Sequence, residues 1–212
     1  IVSDCGVCDG GSIWRFGLPG EKSFSEANAR VSGTLTSNEV FPISLGSTLE
    51  FGTAWNTEFP PDMDVKLVQV AVVTTDLAGN DDVGSYQTIG QIVQYVDPMW
   101  MPEPQSPHPQ FQWIQVQPIP FSPGQKHPVT IPLDGLAGSR IKIRFKFDTM
   151  DEWANEGQGW LVDDIKLSGS GTKTISIPTT LLSTPVEALV NGSSTTMYRA
   201  FSTTFTPAEG EN

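Results

Sequence analysis

Apolar and polar side chains alternate most clearly in residues 141–147. Four apolar residues occupy every second position there and three basic residues lie between them, namely Ile141, Ile143, Phe145 and Phe147 against Lys142, Arg144 and Lys146. A period of two residues predicts a β-strand with one buried and one solvated face. Residues 161–167 show the same period, which places Asp163 on the predicted face of Leu161, Ile165 and Leu167. The pattern therefore predicts two strands, the second with a carboxylate in its apolar row.

Shorter β-prone runs cover most of the chain before these two strands. We predict further strands at residues 13–16, 31–36, 40–43, 48–55, 65–73, 86–96, 113–116 and 129–133. The apolar phase shifts within residues 65–73, which predicts either a β-bulge or a central strand covered on both faces, and we favour the central strand. No long amphipathic helix is predicted. The chain is therefore expected to be all-β.

Asp163 needs a partner if it faces the core. An ionised carboxylate there is costly unless it is hydrogen-bonded, paired with a cation or bound to a metal. The loop between the two strands offers oxygen ligands but no Arg or His, and hard oxygen ligands suit calcium. We therefore predict a Ca2+ ion at Asp163, Asp148 and Asp151, with Asp164 and Glu58 as further candidates. The alternative is that backbone N–H groups of the loop satisfy Asp163.

A strand ending in FDT at residues 147–149, an acidic loop and then GWLVDDI at residues 159–165 form a distinctive combination. Residues 49–72 and, more weakly, residues 13–35 add matching segments in the same order. Together they resemble the calcium-binding jelly-roll domains of the MAM-like and secreted-peptidase-associated class. The resemblance implies a non-catalytic, antiparallel two-sheet jelly-roll sandwich with structural calcium near the strand of Asp163. The proline-rich segment and the C-terminal extension depart from the family's pattern.

The balance of charge limits the classes of partner. The chain has 24 acidic and 12 basic residues and a net charge of -12, which argues against nucleic acids and anionic membrane surfaces because both would be repelled. No run of about 18 apolar residues is present, so no membrane span is predicted. The chain starts at Ile1 without Met, which we interpret as the start of a cleaved precursor, and we expect an extracellular or cell-surface location.

The two cysteines, Cys5 and Cys8, form a C-x-x-C motif. Such a motif is redox-active, metal-binding or a small disulfide loop. A redox site favours a helix after the motif, and Asp9-Gly10-Gly11 does not begin one, whereas zinc needs two further ligands that lack matching spacing. We favour a disulfide between Cys5 and Cys8.

Residues 97–113 contain five prolines and the aromatic residues Trp100, Phe111 and Trp113. Proline fixes φ and removes a ladder donor, so this segment is predicted to be an extended excursion and not a central strand. Trp100 and Trp113 are candidates for stacking on sugar rings. The alternative is that they pack back onto the chain's own core.

The composition changes after residue 168. A Ser/Gly-rich stretch there predicts a boundary between a jelly-roll sandwich at residues 1–168 and a Ser/Thr-rich, β-prone extension at residues 169–212. Within the extension we predict strands at residues 173–177, 186–190 and 195–205. Asn191 begins both an Asn-Gly hairpin-turn signal and a glycosylation sequon.

Motifs for catalysis are missing from the sequence: there is no G-x-S-x-G, no H-E-x-x-H and no phosphate loop, so no enzyme activity is expected. The function predicted first is that of an extracellular calcium-binding structural or adhesive protein. Its copies would assemble into a filament or surface layer by adding the extension to a sheet edge of a neighbouring copy. The alternative is a carbohydrate-binding module of a secreted or cell-surface protein.

Overall fold

The regular structure of the protein is almost entirely β. The computed structural model describes residues 14–16, 29–58, 64–96, 106–118, 125–151, 157, 159–169, 173–174, 187–190 and 197–205. Within these ranges the one helical element is a 3-10 turn at Asp134–Leu136. In this same part of the chain, no helix has the length and apolar character needed to cross a membrane.

Fourteen strands lie in the described residues. In chain order they are β1 (Trp14–Phe16), β2 (Ala29–Ser37), β3 (Phe41–Pro42), β4 (Thr48–Asn56), β5 (Val65–Thr75), β6 (Asp81–Val83), β7 (Gln87–Val93), β8 (Pro107–Gln115), β9 (His127–Pro132), β10 (Arg140–Asp148), β11 (Gly159–Ser168), β12 (Lys173–Thr174), β13 (Glu187–Val190) and β14 (Met197–Phe205).

These strands form two sheets. The five-stranded sheet has the order β1-β11-β4-β9, with β12 on β11. The nine-stranded sheet has the order β13-β14-β2-β10-β5-β7-β8, with β3 on β10 and β6 on β5. The apolar residues of β10 face the five-stranded sheet, where Phe145 lies 5.1 Å from Phe51 of β4 and 6.0 Å from Trp160 of β11 between ring centroids. The predicted all-β, two-sheet sandwich is therefore confirmed.

Two strand pairs differ from the predicted antiparallel arrangement. β8 runs parallel to β7, and β14 runs parallel to β2. Side-chain alternation reports which face of a strand is buried but not the direction of its neighbour, so the sequence pattern gave no sign of either pair. The proline-rich prediction needs a smaller correction, because residues from Pro107 onward form a strand. It is the edge strand of its sheet, a position that tolerates proline.

Strand β5 is central and buried on both faces, as its phase shift predicts. It lies between β10 and β7, and all residues from Val65 to Ala71 are buried. Its pairing with β7 contains a register shift between Val68 and Gln69, where Ile89 of β7 is the extra residue, whereas its pairing with β10 is continuous. The bulge therefore lies in β7, and of the two explanations for the phase shift of β5 the central strand covered on both faces is the correct one.

The predicted face of Asp163 is wrong. The core takes Trp160, Val162, Ile165 and Leu167 of β11, because the register on β4 shifts between Asp163 and Lys166. Asp164 has a φ of 49° at this irregularity. The bulge moves the apolar row by one residue, so that Asp163 pairs with Gly52 on the face turned away from the nine-stranded sheet.

One lysine lies within the core. Lys66 of β5 is 0% exposed, pairs with Phe147 and faces the five-stranded sheet. Its Nζ lies 4.2 Å from the centroid of the Trp55 ring and donates hydrogen bonds to Thr57 Oγ1 at 3.1 Å and to the carbonyl of Asp64 at 2.8 Å. Hydrogen bonds and an aromatic face therefore replace water around the ammonium group.

The C-terminal strands lie on the nine-stranded sheet of the same chain. β14 pairs with β2 over nine residues, from Met197 opposite Ala29 to Phe205 opposite Ser37, and β13 pairs with β14. Strands thus occur in each of the three predicted segments of the extension, because β12 also lies there and pairs with β11 of the five-stranded sheet. The division into domains at residue 168 stays a prediction.

Candidate functional site

The carboxylates that were predicted to hold calcium are found in separate places. Asp163 lies on the outer side of the five-stranded sheet, opposite Gly52. Asp148 lies on β10 of the nine-stranded sheet, opposite Val65, on the side turned away from the core residue Phe147. Calcium ligands lie 2.3–2.6 Å from the ion, whereas stacked sheets are about 10 Å apart. A single ion therefore does not bridge Asp163 and Asp148 in this arrangement.

Asp163 and Asp164 share a lysine. Nζ of Lys126 donates to Oδ2 of Asp163 at 2.6 Å and to Oδ2 of Asp164 at 2.9 Å. Burial by itself lowers the pKa of Lys126, but the hydrogen bonds and charges of the two carboxylates outweigh it and raise the pKa above its ordinary value. Lys126 comes from the segment before β9, far from β11 in the sequence. A cation thus balances the buried Asp163, although none was evident in the neighbouring sequence.

Asp148 is held by two basic residues. Arg30 donates from Nε to Oδ1 at 2.9 Å and from Nη2 to Oδ2 at 3.0 Å, and Lys146 lies 3.4 Å from Oδ2. Burial alone would raise the pKa of Asp148. The hydrogen bonds from Arg30 and from the backbone N–H of Met150, with the nearby positive charges, hold that pKa below its ordinary value. Asp148 is therefore an ionised, well-partnered carboxylate.

The remaining predicted site residues do not extend either group. Asp151 closes the turn after β10, where its N–H donates to the carbonyl of Thr149. The backbone N–H of Glu58 donates to Asp64 Oδ2 at 2.9 Å. Across the described ranges no three His, Cys, Asp or Glu side chains form a group that could hold a metal ion. Four predicted site residues lie outside the described residues, namely Cys5, Cys8, Trp100 and Asn191, as do residues 152–156 of the predicted calcium loop.

A different polar surface lies on the face of the nine-stranded sheet that is turned away from the five-stranded sheet, which we call the outer face. Because the apolar residues of β10 face the core, its basic residues project to the outer face. Arg30 of β2 joins them through Asp148. Five of the chain's 12 basic residues are therefore collected on one surface, namely Arg30, Arg140, Lys142, Arg144 and Lys146.

Arg144 occupies the middle of this surface. Its guanidinium carbon lies 3.7 Å from the centroid of the Tyr86 ring, and its Nε donates to Oε1 of Gln69 at 2.9 Å. Nε2 of Gln69 in turn donates to Oγ1 of Thr88 at 3.1 Å. Burial lowers the pKa of Arg144 and raises the pKa of Tyr86. The guanidinium group is therefore held in place by an aromatic ring on one side and an amide on another.

An aromatic pair marks the far side of the outer face. Phe111 and Trp113 of the edge strand β8 lie 5.0 Å apart between ring centroids, at an interplanar angle of 81°, and both are half-buried. Trp113 lies opposite Gln91 of β7, which lies opposite Leu67 of β5, which lies opposite Lys146. Three steps between strands separate the pair from β10, which is about 14 Å.

Gln91 is an unusual member of this row. Its side chain is 1% exposed, and Oε1 has no hydrogen-bond partner among the described residues. A buried amide oxygen without a donor is destabilising by roughly 1–3 kcal/mol. Unpaired polar atoms of this kind are uncommon in folded proteins and require an explanation.

The outer face combines the chemical groups that a sugar needs. Aromatic rings pack against the apolar faces of a pyranose, and amide, hydroxyl and guanidinium groups bond to its hydroxyls. Trp113 was predicted from the sequence, but Arg144 and Tyr86 were missed as site residues. The signal was present in the alternation of residues 141–147, whose solvated face is entirely basic within an acidic chain.

Comparison with known proteins does not assign the chain to a family. No protein-family model matches it, and no curated protein matches it significantly. The resemblance to calcium-binding jelly-roll domains therefore stays a prediction.

Proposed function

We propose that this chain is a non-catalytic carbohydrate-binding module of a secreted or cell-surface protein, and that the outer face of the nine-stranded sheet is its binding surface. The observation that carries the proposal is the placement of two aromatic features on one face. The Phe111–Trp113 pair lies on β8 and the Arg144–Tyr86 pair is held by β10 and the residue before β7. The distance of about 14 Å between β8 and β10 suits an oligosaccharide of a few units lying across the strands.

The accessible polar groups beside the aromatic features support the same ligand. Lys142, Arg144 and Lys146 are half-exposed on β10, whereas Gln69, Thr88 and Gln91 are buried and do not face the ligand. Guanidinium and ammonium groups donate hydrogen bonds to the hydroxyl oxygens of a sugar. A protein ligand would need a larger apolar core at the interface than these polar groups offer.

The arrangement of carboxylates supports a binding role in place of hydrolysis. Glycoside hydrolysis uses two carboxyl groups, one on each side of the scissile bond. Near the outer face, Asp148 is held by Arg30 at one end of β10, and Asp81 is held by Arg140 at the other. Both carboxylates are thus ion-paired and lie at the ends of β10.

The test is calorimetric titration of soluble neutral and acidic oligosaccharides into the intact chain and into the variants Trp113→Ala and Phe111→Ala. We expect at least one ligand to bind, and each variant to weaken its binding about tenfold, which corresponds to roughly 1.4 kcal/mol. Leu77→Ala is the control, because Leu77 is fully exposed at the tip of the β5–β6 hairpin. Binding that survives both aromatic substitutions would overturn the proposed surface.

Assembly between copies is the second candidate function, and one observation favours it. The hairpin of β13 and β14 forms the end of the nine-stranded sheet, where a neighbouring copy could supply the same element in exchange. The edges at β8 and β9 are less suitable, because each strand contains two prolines, at positions 107 and 109 and at 128 and 132. Exchange of the C-terminal hairpin is therefore the form of assembly we propose. Calcium binding, expected from the sequence, is tested separately, because Asp163 and Asp148 lie on different sheets.

A further inference from the structure

The described part of the outer face is rich in basic side chains, although the chain as a whole is acidic. The chain has a net charge of -12, yet β10 and β2 bring together five basic side chains on this face. The carboxylates bonded to them are Asp81 and Asp148. A local excess of positive charge in an acidic protein indicates a ligand with negative charge at this position.

Most of these basic groups already have carboxylate partners. Arg140 donates to both carboxylate oxygens of Asp81, at 2.8 and 3.0 Å, and Arg30 donates to both carboxylate oxygens of Asp148. Lys146 lies 3.4 Å from Asp148. Each of these contacts is made within the chain.

Arg144 differs because its bonds engage only one edge of the guanidinium group. Nε donates to Gln69 and the plane stacks on Tyr86, while Nη1 and Nη2 have no hydrogen-bond partner among the described residues. Two parallel N–H donors on a fixed plane match the two oxygens of a carboxylate. The stacking and the Gln69 bond hold the group in place, so that less rotamer freedom is lost when a ligand binds.

Lys142 and Lys146 flank Arg144 on the same face. They lie two residues before and two residues after it on β10, at about 7 Å along the strand in each direction. A carboxylate bound to Arg144 would therefore sit between two further positive charges. The aromatic pair on β8 lies across β5 and β7 from this point.

We propose that the outer face binds a saccharide that carries a carboxylate, a uronic acid unit, with Nη1 and Nη2 of Arg144 donating to the carboxylate and the Phe111–Trp113 pair packing against another sugar of the same chain. This inference rests on the proposed carbohydrate-binding function and names its ligand class. The remaining acidic surface repels densely charged polyanions, so the favoured ligand is a short oligosaccharide with few charges.

The first test compares two ligands that are titrated into the unchanged protein. An oligogalacturonate and its carboxyl-reduced form differ only in the carboxylate, and each is titrated into the intact chain. We expect the uronate to bind at least tenfold more tightly and its advantage to fall as the salt concentration rises. Equal affinity for the two forms would overturn the uronate inference and leave the carbohydrate-binding function standing, whereas absence of binding by these and by neutral oligosaccharides would overturn both.

Variants of Arg144 then test whether this residue contacts the carboxylate of the ligand. Arg144→Gln should remove the difference between the two ligands, and Arg144→Lys should remove most of it, because a lysine keeps the charge but not the paired donors. Lys166→Gln is the matched control, since it removes one positive charge from the exposed side of β11 in the other sheet. A sulfated oligosaccharide that binds as tightly as the uronate would overturn recognition of the carboxylate itself. The ligand comparison decides the inference even if an Arg144 variant fails to fold.

Discussion

Lys66 lies with its ammonium group 4.2 Å from the centroid of the Trp55 ring, inside the core of the sandwich. A buried charge is tolerated only when hydrogen bonds compensate for the lost water, and Thr57 and the Asp64 carbonyl accept two of them. The charge therefore depends on the end of β4 and the start of β5 keeping their present positions.

Substitution of Lys66 separates the role of its volume from the role of its charge. We expect Lys66→Ala to lower the free energy of unfolding by about 3 kcal/mol, since it leaves a cavity beside Trp55 and Phe147. Lys66→Met fills nearly the same volume and should cost less, about 1 kcal/mol. Denaturant unfolding of the two variants measures both values, and equal losses would show that the hydrogen bonds matter more than the packing.

Asp148 should make stability depend on pH in the acid range. Its pKa is lower in the folded chain than its ordinary value of 3.8, so its contribution is present above about pH 3.8 and is lost as pH falls through the folded pKa. Asp148→Asn should cost about 2 kcal/mol at pH 7 through the lost bonds to Arg30, and this cost should shrink below pH 3.8. Asp82→Asn, on the exposed strand β6, is the control, and a cost that does not change with pH would contradict the assignment.

Lys126 should be required for the stability of the fold because Asp163 is buried. Lys126→Met leaves a carboxylate that is 8% exposed without its cation, and we expect a loss of about 2–3 kcal/mol. The double variant Lys126→Met, Asp163→Asn should recover part of this loss, since no charge is then left unpaired. A double variant as unstable as the sum of its parts would show that the pair does not interact.

Removal of calcium tests the prediction made from the sequence. Since Lys126 already balances Asp163, we expect the melting temperature of the intact chain to be the same with added calcium and with a chelator. A ligand that binds only the folded state stabilises it by mass action. A fall in the melting temperature on chelation that is absent from Asp163→Ala would therefore support the calcium site.

Truncation after Ser168 tests the C-terminal strands. Removal of β14 leaves the N–H and C=O groups of β2 unpaired along one edge, so we expect a lower melting temperature and aggregation. Light scattering of both chains across a range of concentrations provides the measurement. The opposite outcome is a full-length chain that forms dimers and a truncated chain that is a monomer of the same stability. That outcome would support exchange of the hairpin between copies.

The strands of the sandwich were predictable because burial of one sheet face imposes a period of two on the sequence. The strand at residues 141–147 follows from that rule, whereas β5 was predicted from its nearly continuous apolar run, which is typical of a strand buried on both faces. The face of Asp163 was predicted wrongly, because a bulge shifts the phase of β11 and leaves no mark in a simple alternation. Its partner Lys126 was also missed, since it is 37 residues away in the sequence and only the fold brings the two together.

The parallel pairing of β14 with β2 has a consequence for the order in which the protein folds. β2 is synthesised early and β14 late, and their contacts join Ala29 to Met197 across most of the chain. Contacts of high sequence separation slow folding, because the entropy of closing the loop must be overcome before they form. At the centre of the sheet, β5 and β7 are close to each other in sequence, and β10 pairs with β5. These three strands provide the edge on which β2 docks. β14 is therefore expected to be among the last strands to acquire protection from hydrogen exchange during refolding.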